Sequence, residues 1–320
     1  MQRAWVTGSR GFVGPYLVDE LQRRQVAVTG VDRPGRGPHR PDEPPTLSLD
    51  LSRGEDVAQA LSQTAPDVVF HLAARSSAAE SFQDPLGSLL ENVGLAGGLL
   101  EGARRLPSPP ILVLVGSCEE YGPVRDPGEL PVGEDHVLRP ASPYAVSKAT
   151  QTLLGLQYHE AWKLPVICTR SFTHTGPGQS DRFVFSSFAR QIAEQECRGD
   201  GRRGVLEVGN LEAVRDMSDV RDVARAYVEL AEHGAVGRVY NVCSGKGLRI
   251  ADGLGILRRL STLEVEVRTD PKRLRPVDVP VFVGDVGRLR ETLGWVPDTP
   301  IERTLEDLLQ DWRRRVGRSG

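Results

Sequence analysis

The 320-residue sequence predicts an α/β protein with a doubly wound parallel sheet, and three observations indicate this fold. Short apolar runs typical of strands alternate with helical periods through the first half of the chain. A glycine-rich turn connects the first apolar run to the first helical period, and polar residues follow the ends of the later runs. Strands that alternate with helices form a parallel sheet with helices on both faces, and ligands bind at the carboxyl ends of its strands.

Composition and charge exclude several classes of protein. Hydrophobic residues make up 39% and charged residues 26% of the chain, so we expect a packed core. The net charge of -3 provides no field that would attract nucleic acid or an anionic membrane. The longest apolar run covers residues 111–115, whereas a membrane span needs roughly 20 residues. The four cysteines are dispersed without a CxxC motif, so no metal site is expected. Taken together, these features predict a soluble, cytoplasmic protein.

The first apolar run ends in the turn Gly-Ser-Arg-Gly-Phe-Val-Gly, residues 8–14. Its glycines have the spacing GxxGxxG, which is one residue longer in the first gap than the usual dinucleotide fingerprint. The first glycine turns the chain, the second lets backbone amides reach a pyrophosphate, and the third lets the helix pack on the sheet. The start of the helix adds partial positive charge. We therefore predict a Rossmann-type domain whose cofactor contacts include Gly8, Gly11, Phe12, Val13 and Gly14.

The second predicted strand ends at Asp32, whose carboxylate would accept hydrogen bonds from the adenosine ribose and so favours NAD(H). Arg33, the next residue, and Arg10 in the glycine turn would instead suit the 2′-phosphate of NADP(H). The sequence leaves the choice between NADH and NADPH open. Asp50 and Leu51 follow the third strand, where they would flank the adenine.

The fourth predicted strand, residues 67–71, leads to Leu72, Ala73 and Ala74. Small residues at this strand end let the backbone pass close to a cofactor, so we include these three among the cofactor contacts. A helix around residues 84–104 and the apolar strand at 111–115 continue the alternation.

The apolar strand leads to Ser117, and Tyr144 and Lys148 follow 27 and 31 residues later. Ser142 and Pro143 suit the N-cap and the first position of a helix, which places Tyr144 and Lys148 one turn apart on one face. A phenol titrates near pH ~10, and a neighbouring ammonium favours the phenolate, so Lys148 would bring Tyr144 closer to neutral pH. Ser117 would donate a hydrogen bond to the oxygen whose charge develops during hydride transfer.

With these residues and the three glycines of the first turn, the chain resembles the extended short-chain dehydrogenases/reductases. The resemblance implies NAD(P)H as cofactor and Tyr144 as the acid/base. It also implies that Lys148 binds the nicotinamide ribose and that Asn92 has a structural or cofactor-side role. A homodimer with a four-helix contact, to which the helix of Tyr144 contributes, is implied as well.

The second half of the chain contains arginine-bearing polar loops. Such loops suit a sugar nucleotide, whose diphosphate needs cationic donors, although composition alone would equally allow solvated loops. Four segments resemble GDP-4-dehydro-6-deoxy-D-mannose reductases, which form GDP-D-rhamnose and are related to GDP-mannose 4,6-dehydratases; the match extends from about residue 4 to residue 313. These segments are HTGPGQ at 174–179, VGNLEAVRD at 208–216, YNVCSG at 240–245 and RLRPVDVP at 273–280.

The resemblance to the reductases implies a set of substrate contacts. Arg275 would bind the diphosphate and Asp278 the guanosine ribose. Thr173 stands where the family usually has Asn, so no contact is assigned to that position. The other substrate-binding candidates are Asn210 and Arg215 near the nucleotide, and Ser76, His174 and Gln179 near the sugar.

Glu119, two residues after Ser117, has two possible roles. The dehydratases have a glutamate there that removes a sugar proton and expels the C6 hydroxyl as water. The similar reductases also carry it, so catalysis and substrate contact both stay open. The expected reaction is hydride transfer from NAD(P)H to the C4 ketone of GDP-4-dehydro-6-deoxy-D-mannose. The alternatives are a GDP-mannose 4,6-dehydratase, another nucleotide-sugar epimerase or dehydratase, and a non-catalytic dinucleotide sensor.

Two domains are expected. Residues 1–171 with about 216–245 would form the dinucleotide-binding domain, and about 172–215 with 246–320 a smaller α/β substrate domain. The expected partners are a GDP-sugar and a second copy of the chain.

Overall fold

A computed structural model describes residues 1–35, 43–199, 203–273 and 279–317. Within these ranges the strands are β1 (Arg3–Thr7), β2 (Ala27–Asp32), β3 (Thr46–Ser48), β4 (Val68–His71), β5 (Ile111–Ser117), β6 (Val166–Ser171), β7 (Thr173–Thr175), β8 (Arg203–Val208), β9 (Val214–Asp219), β10 (Arg238–Val242), β11 (Gly247–Arg249), β12 (Glu264–Thr269) and β13 (Val281–Phe282). The helices are α1 (Gly14–Arg23), α2 (Gly54–Thr64), α3 (Ala78–Ser81), α4 (Pro85–Arg104), α5 (Pro143–Trp162), α6 (Val184–Arg198), α7 (Val220–His233), α8 (Ile250–Leu260), α9 (Gly287–Leu293) and α10 (Ile301–Gly317). Single 3-10 turns lie at Cys118–Tyr121, Pro127–Glu129 and Pro271–Arg273.

Seven strands form one parallel sheet in the order β10-β6-β5-β4-β1-β2-β3. Every ladder in this sheet is parallel, which confirms the predicted doubly wound fold. The chain lays strands in one direction from β1 to β3 and in the other from β4 onward. The strand order therefore reverses between β1 and β4, and the ligand site of such a sheet lies at the carboxyl ends of the strands beside this point.

The strands that form the centre of the sheet are buried because helices cover both faces. Trp5 and Leu112 pack in the core on one face, and Val6 and Val113 pack in the core on the other. Alternate residues of one strand point to opposite faces, so a strand buried on both faces reads as a continuous apolar run. This explains why β1 and β5 are recognisable in the sequence.

Helix α5 begins as its sequence predicts. The hydroxyl of Ser142 accepts a hydrogen bond from the amide of Ala145 at 3.0 Å, and Pro143 occupies the first turn. A capped start fixes the helical register, because the cap satisfies an amide that has no partner within the helix. The register places Tyr144 in the first turn and Lys148 one turn later.

The second half of the chain adds two small sheets. In one, β9 lies between β11 and β13 and also pairs with β7; in the other, β8 pairs in parallel with β12. Residues of α6, α8 and α10 form a third core with them. The predicted division of the chain into two domains stays a prediction.

Two classes of site are absent from the described residues. No helix there is long and apolar enough to cross a membrane. In the same ranges, no three His, Cys, Asp or Glu side chains lie where they could hold a metal ion together.

Candidate active site

The glycine turn lies at the carboxyl end of β1, and two of its glycines leave no room for a side chain. Gly8 has a φ of +67°, and a Cβ there would lie 3.0 Å from the Ala73 amide nitrogen. A Cβ at Gly14 would lie 2.1 Å from the carbonyl oxygen of Ser9. No side chain of the described residues caps the N-terminus of α1, so its first amides can bind a phosphate. These features fit the pyrophosphate of a dinucleotide.

The segment after β4 is held against β1. The amide of Ala73 donates a 3.1 Å hydrogen bond to Thr7 Oγ1, and Thr7 Oγ1 lies 3.0 Å from His71 Nδ1. His71 is fully buried, and burial lowers its pKa to about 3, with the charge of Lys148 acting in the same direction. His71 is therefore a neutral structural residue that helps to place Leu72, Ala73 and Ala74 beside the glycine turn.

The adenosine end of the predicted site contains a buried carboxylate and an arginine. Asp32 is 5% exposed and accepts a 3.2 Å hydrogen bond from the hydroxyl of Ser9. Arg10 Nε lies 3.8 Å from Asp32 Oδ2, and Arg10 Nη2 lies 2.8 Å from Glu43 Oε2. Arg33 is exposed and lies 3.6 Å from Glu91, away from this pair. Of the two arginines considered for a 2′-phosphate, the structure thus brings Arg10 to the carboxylate.

Two predicted adenine contacts have other roles in the structure. Asp50 Oδ1 accepts hydrogen bonds from the amide and the hydroxyl of Ser52, which lower the pKa of the carboxyl. Leu51 is only 3% exposed because its side chain packs in the core beneath the sheet. The prediction that Asp50 and Leu51 flank the adenine stays a prediction, and the buried side chain of Leu51 is not exposed to make that contact.

Ser117 ends β5, and Tyr144 lies against it. The two side chains share a hydrogen bond, and Ser117 Oγ also accepts the amide of Glu119 at 3.2 Å. Burial raises the pKa of Tyr144 above its ordinary value, and the negative charge of Glu119 raises it further, while the hydrogen bond with Ser117 opposes both. The phenol therefore keeps its proton at neutral pH.

Lys148 is buried behind this pair. Its Nζ donates to the carbonyl of Val115 at 2.8 Å and to Gln151 Oε1 at 3.1 Å. Burial lowers the pKa of Lys148 from 10.5 to about 8, and the charge of Glu120 opposes this change. The expectation that Lys148 brings Tyr144 toward neutral pH is not met in this structure. The ammonium is directed to the strand, and burial together with Glu119 raises the pKa of the phenol.

Asn92 connects two segments that line the site. Its Oδ1 accepts the amide of Arg75 at 2.8 Å, and its Nδ2 donates to the carbonyl of Arg75 at 3.1 Å and to Ser147 Oγ at 2.8 Å. Ser147 is the neighbour of Lys148 in α5. Of the two roles that the resemblance left open for Asn92, the structural one matches these contacts.

Glu119 lies at the mouth of the site. Its Oε2 accepts a 3.3 Å hydrogen bond from the hydroxyl of Ser142, the N-cap of α5. The carboxylate is partly exposed and close enough to Tyr144 to act on its pKa. This position suits contact with a substrate held over Tyr144.

Strand β7 and the loop that follows it meet the glycine turn, so part of the polar segment at residues 174–179 is a strand. The imidazole of His174 stacks on Phe12 with ring centres 5.9 Å apart. Gln179 uses its amide within the loop, donating to the carbonyl of His174 at 2.9 Å and accepting from Thr175 Oγ1 at 2.6 Å. Tyr16 of α1 donates to the carbonyl of Pro177 at 2.6 Å, and Asp311 of α10 accepts the amide of Gly178 at 2.9 Å. Residues from α1 and from α10 thus hold this loop in place.

The other predicted substrate contacts are spread over the second half and the β4 side. Arg215 of β9 donates through Nη1 to the carbonyl of Val279 at 2.6 Å. Asn210 accepts the amide of Glu212 at 2.9 Å, and Ser76 is exposed beyond β4. Arg275 and Asp278 lie outside the described residues.

Sequence reasoning missed a buried ion pair beside Ser117. Glu120 Oε2 lies 2.9 Å from Arg170 Nε, and both side chains are almost completely buried. The signal was present, because Arg170 follows an apolar run that forms a buried strand and Glu120 follows another. A charge at the end of a buried strand indicates a partner, but the sequence does not say which one.

The chain belongs to the NAD dependent epimerase/dehydratase family, whose model matches residues 4–243. It is similar to a GDP-6-deoxy-D-mannose reductase of Pseudomonas aeruginosa, with 37% identity over 98% of each chain. A GDP-mannose 4,6-dehydratase of Yersinia enterocolitica is 27% identical over 97% of this chain and 93% of its own. The structure of RMD from Pseudomonas aeruginosa complexed with NADPH has a TM-score of 0.85 and 34% identity, and covers 98% of this chain and 100% of that one. The chain is therefore an enzyme that depends on a nicotinamide dinucleotide, which confirms the resemblance inferred from its motifs.

Proposed function

We propose that the protein reduces the C4 ketone of GDP-4-dehydro-6-deoxy-D-mannose with NADPH and forms GDP-D-rhamnose. The observation that carries this proposal is the hydrogen-bonded pair of Ser117 and Tyr144 at the carboxyl end of β5, in the same sheet whose β1 leads into the glycine turn. The similarity to a GDP-6-deoxy-D-mannose reductase over 98% of both chains supports the substrate class.

Bound NADPH would supply the hydride that goes to C4 of the sugar. Tyr144 would give its proton to the ketone oxygen, and its raised pKa keeps that proton on the phenol until it is needed. Ser117 would hold the same oxygen with its hydroxyl and so stabilise the charge that develops there. Lys148 would contact the nicotinamide ribose and place a positive charge behind the phenol.

The cofactor would be NADPH, and Arg10 would bind its 2′-phosphate. The guanidinium already lies between two carboxylates, those of Asp32 and Glu43, at the end of β2. A 2′-phosphate is a strong partner for a guanidinium, because it offers charged acceptors for two parallel hydrogen bonds. The NADPH complex of the Pseudomonas aeruginosa structure supports this choice.

The substrate would lie between the glycine turn and the second half of the chain. Arg215 and Asn210 would contact the nucleotide, and Arg275 and Asp278 would bind its diphosphate and ribose. Ser76, His174 and Gln179 would border the sugar. Because Gln179 already uses its amide within its own loop, its contribution would be to shape the loop.

The test is to supply GDP-4-dehydro-6-deoxy-D-mannose with NADPH and with NADH in parallel and to identify the product by NMR. The expected result is oxidation of NADPH with formation of a 6-deoxyhexose that carries a new C4 hydrogen. Absence of NADPH oxidation with this ketone would contradict the proposal.

A second candidate, GDP-mannose 4,6-dehydratase, is favoured by one observation. Glu119 lies at the mouth of the site beside Tyr144, where a base for a sugar proton would act. A dehydratase regenerates its cofactor, so GDP-mannose without added reductant would lose water. Formation of the 4-keto sugar under these conditions would favour the dehydratase.

The protein would act as a homodimer. Helices α4 and α5 expose a patch of large apolar side chains, and an exposed patch of this kind marks an interaction surface. A second copy would bury the same patch on its own helices, as a twofold interface requires. Sedimentation of the purified protein would show a mass near twice 35.0 kDa, whereas Leu153→Glu would give the monomer. The patch consists of Leu86, Leu90, Leu153 and Trp162.

A further inference from the structure

The side chain of Glu120 is completely buried beside the proposed catalytic group Ser117. Its Oε1 accepts the backbone amide of Ser117 at 2.9 Å, and its Oε2 accepts Arg170 Nε at 2.9 Å. The hydroxyl of Ser117 in turn caps the short turn that contains Glu120. Ser117 is therefore fixed by this turn through both its side chain and its backbone.

The strand is shaped to accept this carboxylate. A Cβ at Gly116 would lie 2.3 Å from Glu120 Oε1 and 2.4 Å from the carbonyl of Thr169, so only glycine fits between them. One residue before Gly116, the carbonyl of Val115 accepts hydrogen bonds from Lys148 Nζ and Gln151 Nε2. The end of β5 is thus held both by Glu120 and by Lys148.

Arg170 balances the charge of Glu120 away from the site. It is 4% exposed, donates through Nη1 to the carbonyl of Glu134 at 2.9 Å, and lies 4.7 Å from the ring centre of Tyr121. A buried ion pair contributes little net stability compared with apolar residues of similar size. Stability therefore does not explain why an ion pair is buried here, and its role is sought in the site beside it.

The Glu120 carboxylate also faces the two groups that would hold protons in the reaction. Its charge raises the pKa of the Lys148 ammonium and the pKa of the Tyr144 phenol, so in both cases it favours the protonated form. The other titratable or charged groups that face these three are Cys118, Glu119 and Tyr121 from the turn, Cys168 and Arg170 from β6, and His71 from β4.

We propose that Glu120 is a positioning residue of this reductase site, which holds the backbone of Ser117 in place and supplies the negative charge that faces Lys148. The expected effect of Glu120 on kcat rests on the proposed function, whereas its expected effect on the pKa of Lys148 does not. It assigns a role to a charged side chain that neither hydride transfer nor substrate contact uses.

The test compares Glu120→Gln with the wild-type protein. Glutamine keeps an acceptor for the Ser117 amide but has no charge, so Lys148 and Tyr144 should lose their protons at lower pH. Ketone reduction requires the phenol proton, so the alkaline limb of kcat against pH should move down by about one pH unit, which is the lower end of the effect of a nearby opposite charge. If kcat instead falls by the same factor at every pH, the role is only structural and the proposal is wrong.

A second measurement does not depend on turnover. The chain has four lysines, so 13C-labelled lysine gives few signals, and Lys148→Arg identifies the one from Lys148. The titration midpoint of that signal should fall in Glu120→Gln by about the same one pH unit. An unchanged midpoint would overturn the proposal. Failure of the wild-type enzyme to reduce the ketone would instead contradict the proposed function and leave this titration to decide the role of Glu120.

Two further variants complete the design. Glu134→Gln removes another largely buried carboxylate, which accepts the amide of Asn241 at 2.9 Å and lies 3.6 Å from Arg288 Nε. Its partners are therefore not those of Glu120, and its pH profile should match the wild type. An equal shift in Glu134→Gln would contradict a specific role of Glu120. The double variant Glu120→Gln, Arg170→Gln removes both charges of the ion pair, so Arg170 is not left buried without its carboxylate. It replaces the single variant if that one does not fold. The alkaline limb of kcat against pH should move down in the double variant as in Glu120→Gln. An alkaline limb at the wild-type pH would overturn the proposal.

Discussion

The hydroxyl of Thr7 and the imidazole of His71 are hydrogen-bonded at 3.0 Å across the point where the sheet reverses its strand order. The same hydroxyl accepts the amide of Ala73, whose backbone lies against Gly8 of the glycine turn. One side chain of β1 therefore joins the two segments that would enclose the pyrophosphate.

Thr7→Val should weaken NADPH binding and lower the free energy of unfolding by about 1 to 3 kcal/mol, because it leaves a partly buried amide and a buried imidazole nitrogen without their partner. Calorimetric titration with NADPH and urea unfolding would measure the two effects. Thr64→Val is the matched control, since Thr64 donates only to the carbonyl of Ala60 within α2. Equal effects in both variants would contradict a specific role for Thr7.

Tyr144→Phe should lower kcat by about 10²- to 10⁴-fold, the range of a lost general acid, while the affinity for NADPH stays near that of the wild type. Stopped-flow oxidation of NADPH with the 4-keto sugar would measure the rate. Tyr158→Phe removes a hydroxyl from the same helix that contacts Glu101 at 3.3 Å, away from the site, and should leave kcat unchanged. Wild-type turnover in Tyr144→Phe would exclude this phenol as the proton donor.

Lys148→Met should abolish turnover and stabilise the fold at neutral pH. The pKa of Lys148 falls from 10.5 to about 8 through burial, so the unfolded state binds more protons between these values and the stability of the wild type rises with pH there. Below pH 8 the cost of burying the ammonium is fully present. At about 1.4 kcal/mol per pKa unit, the variant should gain up to about 3 kcal/mol at pH 7.

Urea unfolding of the wild type and Lys148→Met at pH 7 and pH 10 would measure this difference. The gain of the variant should shrink as the pH rises, because the wild-type amine then loses its charge. A gain that is the same at both pH values would show that the buried amine is not the cause.

Arg10→Gln should raise the KM for NADPH by about tenfold or more, since a hydrogen bond to a charged group contributes about 1.5 to 3 kcal/mol, and should change the KM for NADH little. Steady-state kinetics with both cofactors would measure the ratio. Arg33→Gln is the matched control, because Arg33 is exposed and lies toward Glu91. If Arg33→Gln raised the KM for NADPH more than Arg10→Gln does, Arg33 rather than Arg10 would bind the 2′-phosphate.

The sequence alone predicts the sheet, the glycine turn, and the positions of Ser117 and Tyr144, because each depends on local signals. The apolar runs define the strands, the three glycines define the turn, and Ser142 and Pro143 define the start of α5. These signals act within a few residues of the position they determine, so they can be read without knowledge of the tertiary structure.

Distant contacts are what the sequence could not supply. The partners of Lys148 and Glu120 are Val115 and Arg170, which lie 33 and 50 residues away along the chain. The spacing of Tyr144 and Lys148 suggests that the ammonium acts on the phenol, but the carbonyl of Val115 is its nearer partner. The burial of Leu51 likewise follows from how α2 and α4 pack, which no local pattern reveals.

The loop at residues 174–179 is fastened at Pro177 by Tyr16, near the start of the chain, and at Gly178 by Asp311, close to its end. Engineered chimeras that exchange the substrate-recognising half between relatives must respect this double attachment. A graft that takes the loop but leaves α10 behind would lose the Asp311 anchor, whereas transfer of the loop together with α10 and the residue at position 16 would preserve the shape of the entrance.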